Sequence, residues 1–467
     1  MNRSIRLTSL FTLLMSVVLL ANLEYVQVFS DYADDPRNKR TYYRSLDTPR
    51  GQISAGGLVL ATSDENGRHY PTDPLVFGPV EGYLSETYGL SGLELGYNDV
   101  LDGSAVFNAS LTERLMGKKP AGANINLTLQ PALQNVAFHQ LADMNYDGAV
   151  VAIRPSSGEI LAMASTPSYD PALIVDPETS EQTWAGYVDN PASPLLNHAT
   201  QETLPPGSTF KVITTAAALS QGWNADSTVT ASPEITLPNT TTTLENYDGM
   251  RCGGGDQTTL MNAFTLSCNT AFAEMAMAVG PDPLRDVAKH FGLQDTYDIG
   301  LPMDPGTLGD LADQASLGQS AIGQRDVTMS VLENAVVAAT VANGGKRMEP
   351  YLVSTVTAPD LKVLRTTKPK QVDGIDPGIA AQLTEMMLSS ERHTVGDSSV
   401  QIASKTGTAE HGEDSRNSNP HAWYIAFAPG KDIAVAVVVK NGGDRGQAAT
   451  GGSVAAPIGR AVIEAAQ

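Results

Sequence analysis

Ser208 and Lys211 stand three residues apart in PPGSTFKVITTAAAL (205–219), where two prolines and a glycine give way to an apolar, helix-forming run. Ser208 is expected to start the helix, and on it this spacing puts both side chains on one face, about one turn apart. A serine hydroxyl is a weak nucleophile until a base takes its proton. A lysine can be that base once burial or a neighbouring positive charge lowers its pKa, and a helix N-terminus favours negative charge developing beside it. Two other groups could serve the same chemistry. Ser267-Cys268-Asn269, within LMNAFTLSCNTAFAEMA (260–276), offers a hydroxyl to relay a proton and an amide to hold a peptide. Lys405-Thr406-Gly407-Thr408 offers a positive charge and two hydroxyls for a carboxylate. Its glycine lets another backbone come close, as a peptide adding along a strand would require.

These groups need a frame. Residues 148–165 read GAVVAIRPSSGEILAMAS, two apolar runs around Pro-Ser-Ser-Gly, the pattern of a β-hairpin. A long stretch of helical character with turn breaks follows, to about residue 390. Three strand-like segments come late: 400–409 with the Lys-Thr-Gly, 422–428 with alternating AWYIAFA, and 433–440. An Ala-rich, helix-like stretch at 454–466 closes the chain. Strands at both ends with helices between predict one antiparallel sheet packed against an inserted helical block, an α+β architecture. Residues 51–145 are short, Gly-rich mixed segments, read as a loose domain of strands and turns, and 30–50 are polar and loop-like.

The composition narrows the function. At 467 residues, 42% apolar and 17% charged, the chain can bury two or three cores. A formal net charge of −21 argues against a nucleic-acid partner, which would require a basic face. Residues 7–23, LTSLFTLLMSVVLLANL, are apolar and uncharged, and extended through Tyr25–Phe29 they suffice to cross a bilayer. Arg3 and Arg6 precede this run, which predicts residues 1–6 in the cytoplasm and the remainder outside. No small-x-small cleavage site follows, so the run reads as an uncleaved anchor. Cys252 and Cys268, a lone pair on an exported chain, read as a disulfide rather than a redox centre. The seven histidines are scattered without HExxH or CxxC, which argues against zinc, and nothing implies a cofactor.

Singly, each motif has a plain explanation: a helix cap, core hydrogen bonding, an exposed lysine on a strand. Ser415-Arg416-Asn417 even matches the second pattern equally well. Order decides between them. Ser-x-x-Lys, Ser-x-Asn 59 residues on, then Lys-Thr-Gly on a late strand is the ordered signature of penicillin-recognising serine enzymes, and Ser415–Asn417 falls after the Lys-Thr-Gly. Over nearly its full length the chain resembles a class B penicillin-binding protein. RGQI at 50–53, EGYLSETYGLSGLELGYNDVLDG at 81–103, LTLQPALQ at 127–134 and HAWYIAFAP at 421–429 carry the likeness beyond the motifs. After RGQI the chain reads SAGG, without the acidic-basic pair many such relatives have there.

The resemblance implies a penicillin-recognising transpeptidase fold over 146–467, an antiparallel five-stranded sheet with flanking helices plus an all-helical subdomain. A tail and anchor over 1–29 and a small, mainly β stem over 30–145 would precede it. It implies D,D-transpeptidation of peptidoglycan stem peptides ending in D-Ala-D-Ala, with β-lactams acylating the same serine. Ser208 would be the nucleophile, Lys211 its base and Ser267 the proton relay, while Asn269 would hold the substrate amide and orient Lys211. Lys405, Thr406 and Thr408 would bind the terminal carboxylate, and the N–H groups of Ser208 and Thr408 would form the oxyanion hole. Cys268 would pair with Cys252, stapling the GGGDQTTL loop to the site. With no glycosyltransferase segment in the chain, a polytopic glycan polymerase is the expected membrane partner. The motifs alone leave open a carboxypeptidase or β-lactamase that resolves the acyl-enzyme with water. A β-lactam sensor would need a signalling module for which six residues before the anchor leave no room, and a non-catalytic scaffold would not need every motif residue.

Overall fold

The computed structural model describes residues 2–28, 49–105, 122–397, 399–412 and 418–466. Most of the polar 30–50 segment and Ser415–Asn417 lie outside the described residues. Helix α1 (Asn2–Val28) contains a 21-residue span, Arg3–Leu23, of mean hydropathy 1.9 with none of it buried against the protein. At ~1.5 Å per residue, α1 exceeds the ~30 Å of a bilayer core, which fits a single-pass anchor.

The stem begins with β1 (Ile53–Ala55), β2 (Leu58–Asp64) and β3 (Gly67–His69), followed by α2 (Pro74–Glu81) and β4 (Asn124–Leu127). Helix α3 (Pro131–Ala142) leads into the expected hairpin, β5 (Gly148–Ile153) and β6 (Ile160–Thr166), turned by the Pro-Ser-Ser-Gly segment. The helical block includes α4 (Lys211–Ser220), α5 (Leu260–Thr265), α6 (Asn269–Val279) and α7 (Val331–Ala342). Two small two-stranded ribbons interrupt it, Thr228–Thr230 with Gln257–Thr259 and Glu234–Thr236 with Thr243–Glu245. The chain then runs through β7 (Val353–Thr357), β8 (Val363–Thr366) and α8 (Pro377–Thr394). It ends in β9 (Ala403–Ala409), β10 (His421–Phe427), β11 (Ala434–Val439) and α9 (Ala456–Ala465).

The main sheet has the order β9-β10-β11-β5-β6, antiparallel throughout. The last strand therefore pairs with the first, Val439 opposite Gly148. Every residue of β10 and β11 is buried, so helices cover both faces, and such strands carry continuous apolar runs. Helices α3 and α9 pack on each other, and α7 and α9 both pack on β11. Strand β9 is left at the edge, where the turn before α4 packs on it.

A second, six-stranded sheet has the order β8-β7-β4-β1-β2-β3. Its β1–β4 pairing is parallel, and its last two strands come from beyond residue 350. The stem sheet is thus completed by a segment that the sequence pattern groups with the catalytic region. Beside it Glu94, wholly buried, accepts from Arg50 Nε at 2.9 Å and Arg68 Nε at 2.6 Å. Arg50 also donates to the Glu94 backbone and to Asn98, fixing where the chain enters the stem.

Candidate active site

Ser208 lies in a 3-10 turn, Gly207–Phe210, and α4 begins at Lys211. This differs from the expected α-helical start, and the difference matters for contact. In a 3-10 turn residues i and i+3 eclipse, which sets the Lys211 amine over the serine, Nζ to Oγ 3.0 Å. Close contacts lock the turn. Gly207 has φ +55°, its N–H donates to Gly323 O, and Trp423 Nε1–H donates to Pro205 O at 2.9 Å. Thr209 Oγ1 reaches both Pro206 O and Asn334 Oδ1.

Ser267 and Asn269 come from the junction between α5 and α6. Ser267, two residues past the end of α5, is in the left-handed region at φ +60°, a conformation that costs a non-glycine residue energy and that the surrounding hydrogen bonds must hold. Its N–H donates to Phe264 O and the next one to Ala263 O. Lys211 donates to Ser267 O and to Asn269 Oδ1, each at 2.7 Å, with Ser267 Oγ at 3.3 Å. From the opposite side Lys405 Nζ on β9 donates to Ser267 Oγ at 2.9 Å and to Thr406 O at 3.1 Å. One hydroxyl therefore sits between two lysines.

Both amines are buried, Lys211 0% and Lys405 1% exposed. Burial, helped by the charge of Lys405, holds Lys211 well below the usual lysine range. Burial alone brings Lys405 to about 7. The rings of Phe272 and Phe264 lie 5.4 and 5.9 Å from the respective nitrogens, and among the described residues no carboxylate pairs with either amine. Neutral Lys211 has two hydrogens and one lone pair. In that form its hydrogens would go to the two pure acceptors at 2.7 Å, and its lone pair would face the Ser208 hydroxyl 3.0 Å away.

Gly407 has a neighbour the sequence did not indicate. A Cβ there would lie 2.6 Å from Pro206 O, so the backbone that closes on this glycine is the protein's own. A Cβ on Gly207 would in turn lie 3.0 Å from Thr408 O, so the Ser208 turn and β9 are in direct backbone contact. Thr406 and Thr408 are half-buried beside the group, and Thr408 Oγ1 accepts from Gly451 N–H at 3.4 Å. Cys252 and Cys268 form a disulfide, which ties the 245–257 loop to the residue between Ser267 and Asn269. Sequence reasoning missed Phe264 and Phe272, whose rings help to desolvate the lysines. It also missed the Glu245 carbonyl, which accepts from Asn269 Nδ2 at 3.0 Å. The rings were visible only as apolar helical positions, and a backbone acceptor leaves no sequence signal.

A serine, two depressed lysines, a bridging hydroxyl and an asparagine on an α+β frame define a serine acyltransferase of the penicillin-recognising class. The chain belongs to the penicillin-binding protein family: residues 148–464 match the penicillin binding protein transpeptidase domain, and residues 50–125 match the penicillin binding protein A dimerisation domain. It is 47% identical to the peptidoglycan D,D-transpeptidase PbpA of Mycolicibacterium smegmatis, over 100% of this chain and 99% of that one. It is 46% identical to PbpA of Mycobacterium tuberculosis, with the same coverage. The ceftriaxone acyl-enzyme of M. tuberculosis penicillin-binding protein A superposes with TM-score 0.86 and 46% identity, covering 91% of this chain and 99% of that one.

Proposed function

We propose that this chain is a peptidoglycan D,D-transpeptidase whose acyl-enzyme forms on Ser208. The observation that carries the reading is the buried Lys211 amine 3.0 Å from Ser208 Oγ, where burial and the charge of Lys405 favour its uncharged form. Ser208 Oγ attacks the carbonyl carbon of the penultimate D-Ala while Lys211 takes its proton. The peptide bond breaks, and the leaving D-Ala amine receives a proton through Ser267 Oγ, which Lys405 and Lys211 both reach. Asn269 orients Lys211 through Oδ1. Lys405 spends two hydrogens on Ser267 Oγ and Thr406 O, and its third, with the Thr406 and Thr408 hydroxyls, suits a terminal carboxylate. The Ser208 and Thr408 N–H groups would receive the oxyanion, a role supported by the backbone contact between the Ser208 turn and β9; one such donor is worth about 10²–10³ in rate. An amine of a second stem peptide then takes the acyl group. The β-lactam acyl-enzymes of the M. tuberculosis relative support acylation of the same serine by these drugs.

The anchor would hold residues 1–6 in the cytoplasm and the stem (30–145) and catalytic region (146–467) outside, next to a polytopic glycan polymerase. Mass spectrometry after a penicillin challenge tests the centre of this reading. One adduct is expected on the Ser208 peptide and none in Ser208→Ala; an adduct elsewhere refutes it. With lipid-linked substrate and a labelled amine acceptor, purely hydrolytic product would assign a carboxypeptidase instead.

A further inference from the structure

Asn269 is itself held. Its Nδ2 donates to the Glu245 carbonyl, and the next residue is Asn246, only 4% exposed and used at every polar atom. The Asn246 N–H donates to Pro233 O, and its own carbonyl accepts from Gly249 N–H. Asn246 Nδ2 donates to Ser232 O at 2.8 Å and to Met250 O at 3.0 Å. Asn246 Oδ1 accepts from Thr270 N–H at 3.1 Å and stands 3.2 Å from Thr270 Oγ1. Thr270 directly follows Asn269, within the first turn of α6.

The 245–252 loop is therefore fastened on both sides of Asn269, by the disulfide at Cys268 and by the Asn246 amide at Thr270. The second tie bears on the chemistry. It fixes the Glu245 carbonyl relative to α6, and that carbonyl decides which way the Asn269 amide faces. With Nδ2 turned to Glu245, Oδ1 must turn to Lys211. A flipped amide would present N–H groups to the Lys211 nitrogen and compete with Ser208 for its lone pair. We infer that Asn246 is a positioning residue of the acylation site, acting through Asn269 on the Lys211 lone pair. The inference rests on the function proposed above.

The test is the acylation rate of the full chain with a fluorescent penicillin, measured for wild type, Asn246→Ala, Asn269→Ala and the double variant, with thermal unfolding alongside. Asn246→Ala is expected to slow acylation about 10–100-fold at temperatures where it is folded. In the Asn269→Ala background it should change the rate less than twofold, because residues acting through one another are not additive. Should Asn246→Ala not fold, the isosteric Asn246→Asp, which loses both Nδ2 bonds, should still slow acylation at least tenfold. Rates within twofold of wild type in the folded variant, or effects that multiply with Asn269→Ala, overturn the inference. A wild-type chain that takes up no penicillin overturns the function reading, and this inference with it.

Discussion

Replacing Gly407 with alanine puts a methyl group where the structure has no room. The new Cβ would stand 2.6 Å from Pro206 O, 3.1 Å from Thr209 Cγ2 and 3.1 Å from Trp423 Cβ. Ordinary contact begins near 3.4 Å, so the Pro206 carbonyl must retreat by about 0.8 Å. Thr209 and Trp423 block sideways relief. Pro206 is two residues from Ser208 in the same tight turn, so most of that shift passes to the proposed nucleophile. A misplacement of ~1 Å costs roughly 10²-fold in rate, equivalent to about 2.7 kcal/mol of activation free energy. Overpacking should also cost about 1–3 kcal/mol of stability. The assay is the time course of labelling by a fluorescent penicillin, with a melting curve on the same sample. A Gly407→Ala chain that melts as wild type does and acylates within threefold of it would refute the claim that the Ser208 turn rests on Gly407.

The acylation rate constant should rise with pH as Lys211 loses its proton and fall above about pH 7 as Lys405 loses its charge, because the base and the carboxylate anchor proposed above need opposite states. Lys405→Met removes the like charge beside Lys211, raises that lysine's pKa and should move the rising limb to higher pH; a flat profile from about pH 5 to 9 would contradict this. The Cys252–Cys268 bond closes a sequence separation of 16, so the double alanine variant should lose about 3 kcal/mol in denaturant unfolding. Neither thiol should react with an alkylating reagent before reduction. Glu94→Ala strands the buried Arg50 and Arg68 guanidiniums and should cost about 3–5 kcal/mol of stability; an unchanged melting temperature would deny the network that role.

The sequence was most legible where local chemistry and position agree. The 148–165 hairpin showed through its turn residues, and the late strands through apolar runs that the structure places within three residues of the expected bounds. Ser208, Lys211, Ser267, Asn269 and Lys405 could be picked out only because three weak motifs came in one order. Their meeting around the Lys211 amine and the Ser267 hydroxyl depends on the 3-10 turn at 207–210 and the left-handed Ser267, neither of which has a side-chain signature. Gly407 was legible as a close-approach glycine, but its partner was not, because Pro206 lies 201 residues earlier. The Asn246 clamp was invisible for a related reason, since five of its six hydrogen bonds involve backbone atoms.

The stem sheet has a consequence for the timing of folding. Strand β4 pairs with β1 on one side and β7 on the other, yet Val353 leaves the ribosome 226 residues after Leu127. Until it arrives, β4 presents a row of unsatisfied backbone donors and acceptors, a ready template for wrong pairing, and such distant pairing is slow to form. The first domain to be synthesised is therefore among the last to be finished. A fragment that stops near residue 145, or any nascent chain that stalls before Thr357, carries the open edge with it. Its fate is decided by whatever shields β4 in the interval.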